Sequence, residues 1–178
     1  VTELEDGAPV WSVARDITVF GPAGVAVGWD KVFGISDTAT VVAQDADDGD
    51  VIWERDLLVA AGNQVDMAPQ LVGGCVLVST QAIAVPGSRG TLYALDQETG
   101  EIVWQFETVP DDFWGNPQVN HGGGAWYPPA VDTDTGAITN IRTANADATV
   151  REVNGGVAFH VVDIPNRIAP SSSIVQSH

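Results

Sequence analysis

The stretch Val41–Trp53, VVAQDADDGDVIW, returns 51 positions later as Leu92–Trp104, LYALDQETGEIVW. Each copy reads as an apolar strand, an acidic turn closing on glycine, a second apolar strand and a tryptophan at a fixed distance from the glycine. The shared frame is Ala-x-Asp-x-x-x-Gly-x-x-x-Trp, filled by Ala43, Asp45, Gly49 and Trp53 and again by Ala94, Asp96, Gly100 and Trp104. One strand–turn–strand unit cannot bury its apolar face alone, so a repeat of this kind predicts stacked copies in a repetitive β architecture.

The unit extends upstream of the acidic turn. Gly24–Gly34 and Pro69–Val78 match in outline, each a hairpin preceding the acidic-turn hairpin, so four antiparallel strands make one blade. Short β-rich runs bounded by Gly, Asp-Gly and Pro dominate the chain, and helical periodicity is scarce. The pattern predicts strands at 24–27, 31–36, 40–45, 51–55, 70–72, 75–80, 90–96, 101–107, 130–132, 137–140 and 157–163. Trp29-Asp30, Gly73-Gly74, Asp48-Gly49 and Thr99-Gly100 suit tight hairpins. Gly7 to Trp11 repeats the spacing of Gly49 to Trp53 and reads as the last strand of a preceding blade. The fold expected is all-β, a partial β-propeller with two full blades, one partial blade before them and one after. Ser79–Gly90 and Val109–Trp126 are long connections, the places where binding sites gather on a rigid scaffold. Beyond residue 146 the pattern fades, with one further hairpin at Gly155-Gly156 and a Ser-rich end.

At about 40–50 residues per blade, the 178 residues hold about three or four blades. A closed ring takes about four to eight. Residues 1–178 are therefore read as one partial propeller, a fragment of a longer one whose missing blades or partners cover its edges.

Seven basic against 24 acidic residues give a net charge of −17, which repels nucleic acid and anionic lipid and excludes both as partners. Scattered through turns, the acids make a solvated surface of the kind suited to high salt. Cys75 is alone, so neither an intrachain disulfide nor a thiolate metal cluster is available. Its setting, GCVLV, is that of a small buried hydrophobe. No run of 18 apolar residues predicts a membrane span, and no signal peptide is visible.

The repeated Ala-x-Asp-x-x-x-Gly-x-x-x-Trp frame resembles the tryptophan-docking motif of quinoprotein alcohol dehydrogenases, β-propeller enzymes that use pyrroloquinoline quinone (PQQ). The resemblance covers about residues 20–146 and implies that each motif tryptophan lies flat between blades with its indole N–H bonded to a backbone carbonyl. Asn120–Asp132, NHGGGAWYPPAVD, is similar to the Gly-Gly-Gly…Trp…Asp segment of that family. It implies that Gly122, Gly123 and Gly124 line the approach to the quinone and that Trp126 forms the floor beneath it. Packing between blades, as for Trp53 and Trp104, is the alternative for Trp126. Asn145 is the counterpart of an asparagine that contacts Ca²⁺ in the family, although Ala144 and Ala146 depart from the usual surroundings. Where the family carries a calcium-binding glutamate, Val85 stands, and its side chain offers no oxygen to an ion that takes six to eight. The family's adjacent cysteine pair is missing, and its catalytic aspartate falls beyond the matching region.

Three other signals carry little. His121-Gly122-Gly123-Gly124 copies an oxyanion-hole sequence of some lipases, but no Gly-x-Ser-x-Gly elbow accompanies it. Asp45–Asp50 fails the EF-hand pattern at its fifth, sixth and twelfth positions. His121, His160 and His178 lack a second ligand at metal spacing. The resemblance thus implies a PQQ-dependent dehydrogenase-like propeller, periplasmic or extracellular, oxidising an alcohol or sugar with a calcium-bound quinone. The alternative is a non-catalytic propeller that binds protein partners, of the outer-membrane assembly type. Val85 favours the alternative, and the glycine triplet with its tryptophan favours the enzyme.

Overall fold

The computed structural model describes residues 1–17, 23–82, 88–109 and 122–131, together with the strand backbone of 138–142 and 160–164. Val85, His121, Asn145 and the Gly155-Gly156 turn lie outside the described residues. Every regular element described is a β-strand, and all strand pairing is antiparallel. The first sheet runs β1 (Ala26–Gly28), β2 (Lys31–Asp37), β3 (Thr40–Asp45) and β4 (Val51–Asp56) in chain order. This is the four-stranded blade that the sequence predicts.

The second blade differs from the expectation by one strand. β5 (Asn63–Val65) and β6 (Gln70–Val72) both pair with β7 (Cys75–Ala82), which continues to β8 (Thr91–Asp96) and β9 (Ile102–Glu107). β6 takes Cys75–Leu77 and β5 takes Thr80–Ala82, so the long strand serves two short ones in turn. Between them Pro69 has no N–H to give, which breaks the ladder there. β10 (Ala130–Val131), β11 (Ile138–Arg142) and β12 (His160–Ile164) form the third sheet.

The repeat in sequence is a repeat in hydrogen bonds. Asp45 N–H donates to the Asp50 carbonyl and Gly49 N–H to the Asp45 carbonyl; Asp96, Glu101 and Gly100 repeat the pair. Glu3, Ala8 and Gly7 make it a third time, so the first residues are the same kind of turn. The glycine of each turn has a left-handed backbone (φ 73°, 84° and 68° for Gly7, Gly49 and Gly100), where a side chain is costly. A bulge follows Ala43 and Ala94, and it sets each alanine opposite its tryptophan, Ala43 facing Trp53 and Ala94 facing Trp104.

Those tryptophans join one blade to the next. Trp53 lies over Gly100 of the following turn and donates its indole N–H to the Gln97 carbonyl at 3.1 Å. Trp11 does the same to the first blade, over Gly49 and onto the Ala46 carbonyl at 2.8 Å. Arg55 adds a bond to the Gly100 carbonyl, and Lys31 reaches across to Gln97 and Glu98. Strand alternation then divides the core. Val76, Val78, Tyr93 and Leu95 face Phe33, Val41, Ala43 and Trp53 of the first blade. Cys75, Leu77, Leu92, Ala94 and Trp104 face the other way, with Val131 of β10 against them. A blade covered on both sides explains why every residue of β7 is buried.

Candidate functional site

The glycine triplet crosses the end of the second blade. Arg89 and Gly122 form a parallel bridge, Gly90 N–H donates to the Gly122 carbonyl, and Gly122 N–H donates to the Ser88 carbonyl. Gly122, Gly123 and Gly124 all hold left-handed φ, at 90°, 81° and 122°. The reason is close approach of backbone to backbone. A Cβ on Gly90 would sit inside the Gly123 carbonyl group, and one on Gly123 would strike the Thr108 hydroxyl. On Gly124 it would stand 2.6 Å from the Thr80 carbonyl oxygen and 2.9 Å from Gln81 Cα. The sequence reading assigned the triplet to the approach of a ligand. Among the described residues, the atoms that need Gly123 and Gly124 to lack a side chain belong to the chain itself.

The crossing is lined by polar groups that are buried. Asn63, Asp66, Ser79, Thr80, Gln81, Ser88, Thr91 and Thr108 all lie near this end of the blade and are each at most 5 % exposed. A network satisfies most of them. Ala125 N–H donates to Ser79 Oγ at 3.0 Å, Thr91 N–H to Thr80 Oγ1 at 3.1 Å, and Thr108 Oγ1 to the Gly90 carbonyl at 2.7 Å. Asn63 spans the crossing, accepting from Ala60 N–H and donating to the Arg89 carbonyl at 2.9 Å. Ser88 Oγ is buried and has no partner among the described residues. Such a concentration of desolvated polar groups, most of them hydrogen-bonded, fixes one geometry. Nothing in the strand pattern signals it, because the contiguous Ser79-Thr80-Gln81 reads as the strand passing into the long connection to Gly90.

Trp126 emerges where the network ends. Ala125 is 2 % exposed, whereas Trp126 is 50 % and Tyr127 68 % exposed. The two interblade tryptophans, Trp53 and Trp104, are 8 % and 7 % exposed. Trp126 follows the backbone tie of Ala125 to Ser79 and keeps half its surface open, where Trp53 and Trp104 are covered. Electrostatically the region is mixed: Arg89 Nη1 lies 3.7 Å from Glu107 Oε2, and burial pushes the nearby Tyr93 phenol up, against the bonds of Thr91 and Thr80. Among the described residues no three His, Cys, Asp or Glu side chains gather in a group that would hold a metal ion. Burial, with the Asp96 charge adding to it, pushes the Cys75 thiol up as well, which makes it a poor thiolate.

The model of the PQQ_2 family, described as outer membrane protein assembly factor BamB, matches residues 1–127. The quinohemoprotein alcohol dehydrogenase ADH IIB of Pseudomonas putida is 32 % identical over 107 residues, covering 58 % of this chain and 15 % of that protein. Outer membrane protein assembly factor BamB of Alteromonas naphthalenivorans is 30 % identical over 103 residues, covering 53 % and 24 %. The chain therefore spans about a quarter or less of the length of these curated relatives. Among solved structures, quinohemoprotein alcohol dehydrogenase ADHIIG from Pseudomonas putida HK5 superposes with a TM-score of 0.59 at 27 % identity, covering 67 % of this chain and 20 % of that one. BamB from Moraxella catarrhalis gives 0.55 at 20 % identity over 80 % of this chain and 42 % of its own, a likeness of fold alone. The blades described above are those of a β-propeller of the quinoprotein type.

Proposed function

The chain belongs to the PQQ_2 family, outer membrane protein assembly factor BamB, and on that premise we propose that it is a segment of a quinoprotein-type propeller presenting Trp126 as the seat of a planar quinone, pyrroloquinoline quinone. The observation that carries this reading is the contrast between Trp126, half exposed at the end of a rigid crossing, and the buried Trp53 and Trp104. A flat indole with one open face is the surface on which a planar ring system stacks. When bound, the quinone supplies the two-electron acceptor for oxidation of an alcohol or sugar. The chain's own part is positional. Gly122–Gly124 hold the backbone against Gly90, Thr108 and Thr80 so that Trp126 is presented in one orientation, with Ala125 tied to Ser79.

Calcium fits less well. Asn145 is the residue such an ion would contact, but Val85 stands where a carboxylate is needed, and among the described residues no three His, Cys, Asp or Glu side chains form a group that could hold a metal ion. Those two facts support a second reading, a non-catalytic propeller segment that binds protein partners, in keeping with the assembly-factor relatives. Either protein would work in the periplasm or outside the cell. Calorimetric titration with PQQ, with and without Ca²⁺, separates the two. The dehydrogenase reading expects heat of binding that disappears in Trp126→Ala; a folded full-length chain that gives no heat with PQQ in either condition overturns it and leaves the scaffold.

A further inference from the structure

Asp66 is a buried carboxylate with no counter-charge among the described residues. It is 3 % exposed, between β5 and the Pro69 break. Its partners are two neutral amides: Gln64 Nε2 donates to both Oδ1 and Oδ2 at 2.8 Å, and Gln81 Nε2 donates to Oδ2. β5 brings Asn63 and Gln64 to it and β7 brings Gln81, none of them titratable. The charged pair of the same crossing, Arg89 and Glu107, lies 3.7 Å apart, and no charged group of the described residues acts on Asp66. Burying an ionised carboxylate in such a place is expensive, and the group ordinarily takes up a proton instead.

Gln81 makes this more than a local matter. The residue that holds Asp66 through its side chain presents its Cα and Cβ to Gly124, at 2.9 and 3.0 Å from where a Cβ would stand. Its neighbour Ala82 donates its N–H to the Gly123 carbonyl. We propose that Asp66 is a proton-binding group of the glycine crossing, its missing counter-charge supplied by a proton rather than a cation, and that its protonation state is relayed through Gln81 to Gly123, Gly124 and Ala125. The inference stands on this packing alone and does not require that a quinone binds.

Burial raises the Asp66 carboxyl from its ordinary value, against the lowering effect of the Gln64 and Gln81 bonds. A group raised on folding contributes stability that is complete below its unfolded value and is lost as pH rises through its folded value. Carbon-13 NMR of the Asp66 carboxyl, read against pH in the unmodified protein, is the first test and needs no variant. The expected result is a titration above the ordinary value, with the amide shifts of Ala82 and Ala125 following the same curve. The denaturation midpoint should fall through that same window, and Asp66→Asn should abolish the fall. A carboxyl that titrates at or below the ordinary value overturns the proposal, as does an Asp66→Asn protein with undiminished pH dependence. Amides that ignore the titration overturn the relay. A midpoint raised by millimolar calcium chloride in the unmodified protein but not in Asp66→Asn would give the site to a metal ion instead.

Discussion

Gly100 shows how one residue can hold two blades in place. Its φ is +68°, and a Cβ there would stand 2.6 Å from Trp53 Cε3, so the same missing side chain serves the turn and the tryptophan lying over it. Gly100→Ala should lose about 1–2 kcal/mol to the left-handed backbone and a further ~1–3 kcal/mol to overpacking, read as a drop in the denaturation midpoint. Gly74→Ala makes the comparison: φ is +79° but nothing lies within 4 Å, so only the backbone part should appear. Cys75, 8 % exposed with its thiol pushed up by burial, should react with a thiol reagent at neutral pH only as the protein unfolds. A stoichiometric reaction in the native protein would contradict this. The glycine and tryptophan spacing made these residues readable in sequence. The crossing of Gly90 by Gly123 was not, because two backbones meeting 33 positions apart leave no periodicity in either segment.

At the scale of elements, the paired strands and the tryptophan opposite alanine do the joining. Trp53 and Trp104 occupy the same place in consecutive blades but differ in one bond: Trp53 donates to Gln97, whereas Trp104 Nε1 is buried with no partner among the described residues. Truncation of Trp104 to alanine should cost about 3–5 kcal/mol, as for other buried large aromatics. Replacement by phenylalanine should separate the two sites. Trp53→Phe strands the Gln97 carbonyl and should cost about 1 kcal/mol more than Trp104→Phe, which removes an unsatisfied donor; equal losses would show that the Trp53 bond carries nothing. The acidic turn responds to pH in the opposite sense to Asp66. Although burial pulls it up, the N–H groups of Thr99 and Glu98, the Thr99 hydroxyl and the Lys31 charge hold Asp96 below its ordinary value. Its contribution is therefore present above the unfolded value and lost as pH falls through the folded one. Most strands were legible because apolar alternation and Gly-bearing turns bound them. β5 was not: Asn63-Gln64-Val65 holds one apolar residue, and its place is set by pairing with the far half of β7.

For the whole molecule, charge and stacking set the behaviour. A net charge of −17 on 178 residues opposes compaction. Raising salt toward 1 M, where the Debye length is about 3 Å, should raise the denaturation midpoint; a midpoint that falls would assign stability to ion pairs such as Lys31–Glu98. The blade architecture was readable because the 51-residue repeat records it directly. The site was only partly so: the sequence pointed to Gly122–Gly124 and Trp126, but the triplet's glycines answer to Thr80, Gln81 and Thr108, and the buried polar shell around them carries no sequence signature. The quinone seat is the central claim, and bound-quinone stoichiometry after gel filtration tests it most directly. Protein incubated with PQQ should elute with about one quinone per chain, keep it in Trp29→Ala, whose tryptophan is also partly exposed, and lose it in Trp126→Ala, which should fold normally because half the ring is in solvent. Quinone that elutes free of the unmodified protein, or that stays bound to folded Trp126→Ala, would contradict the account.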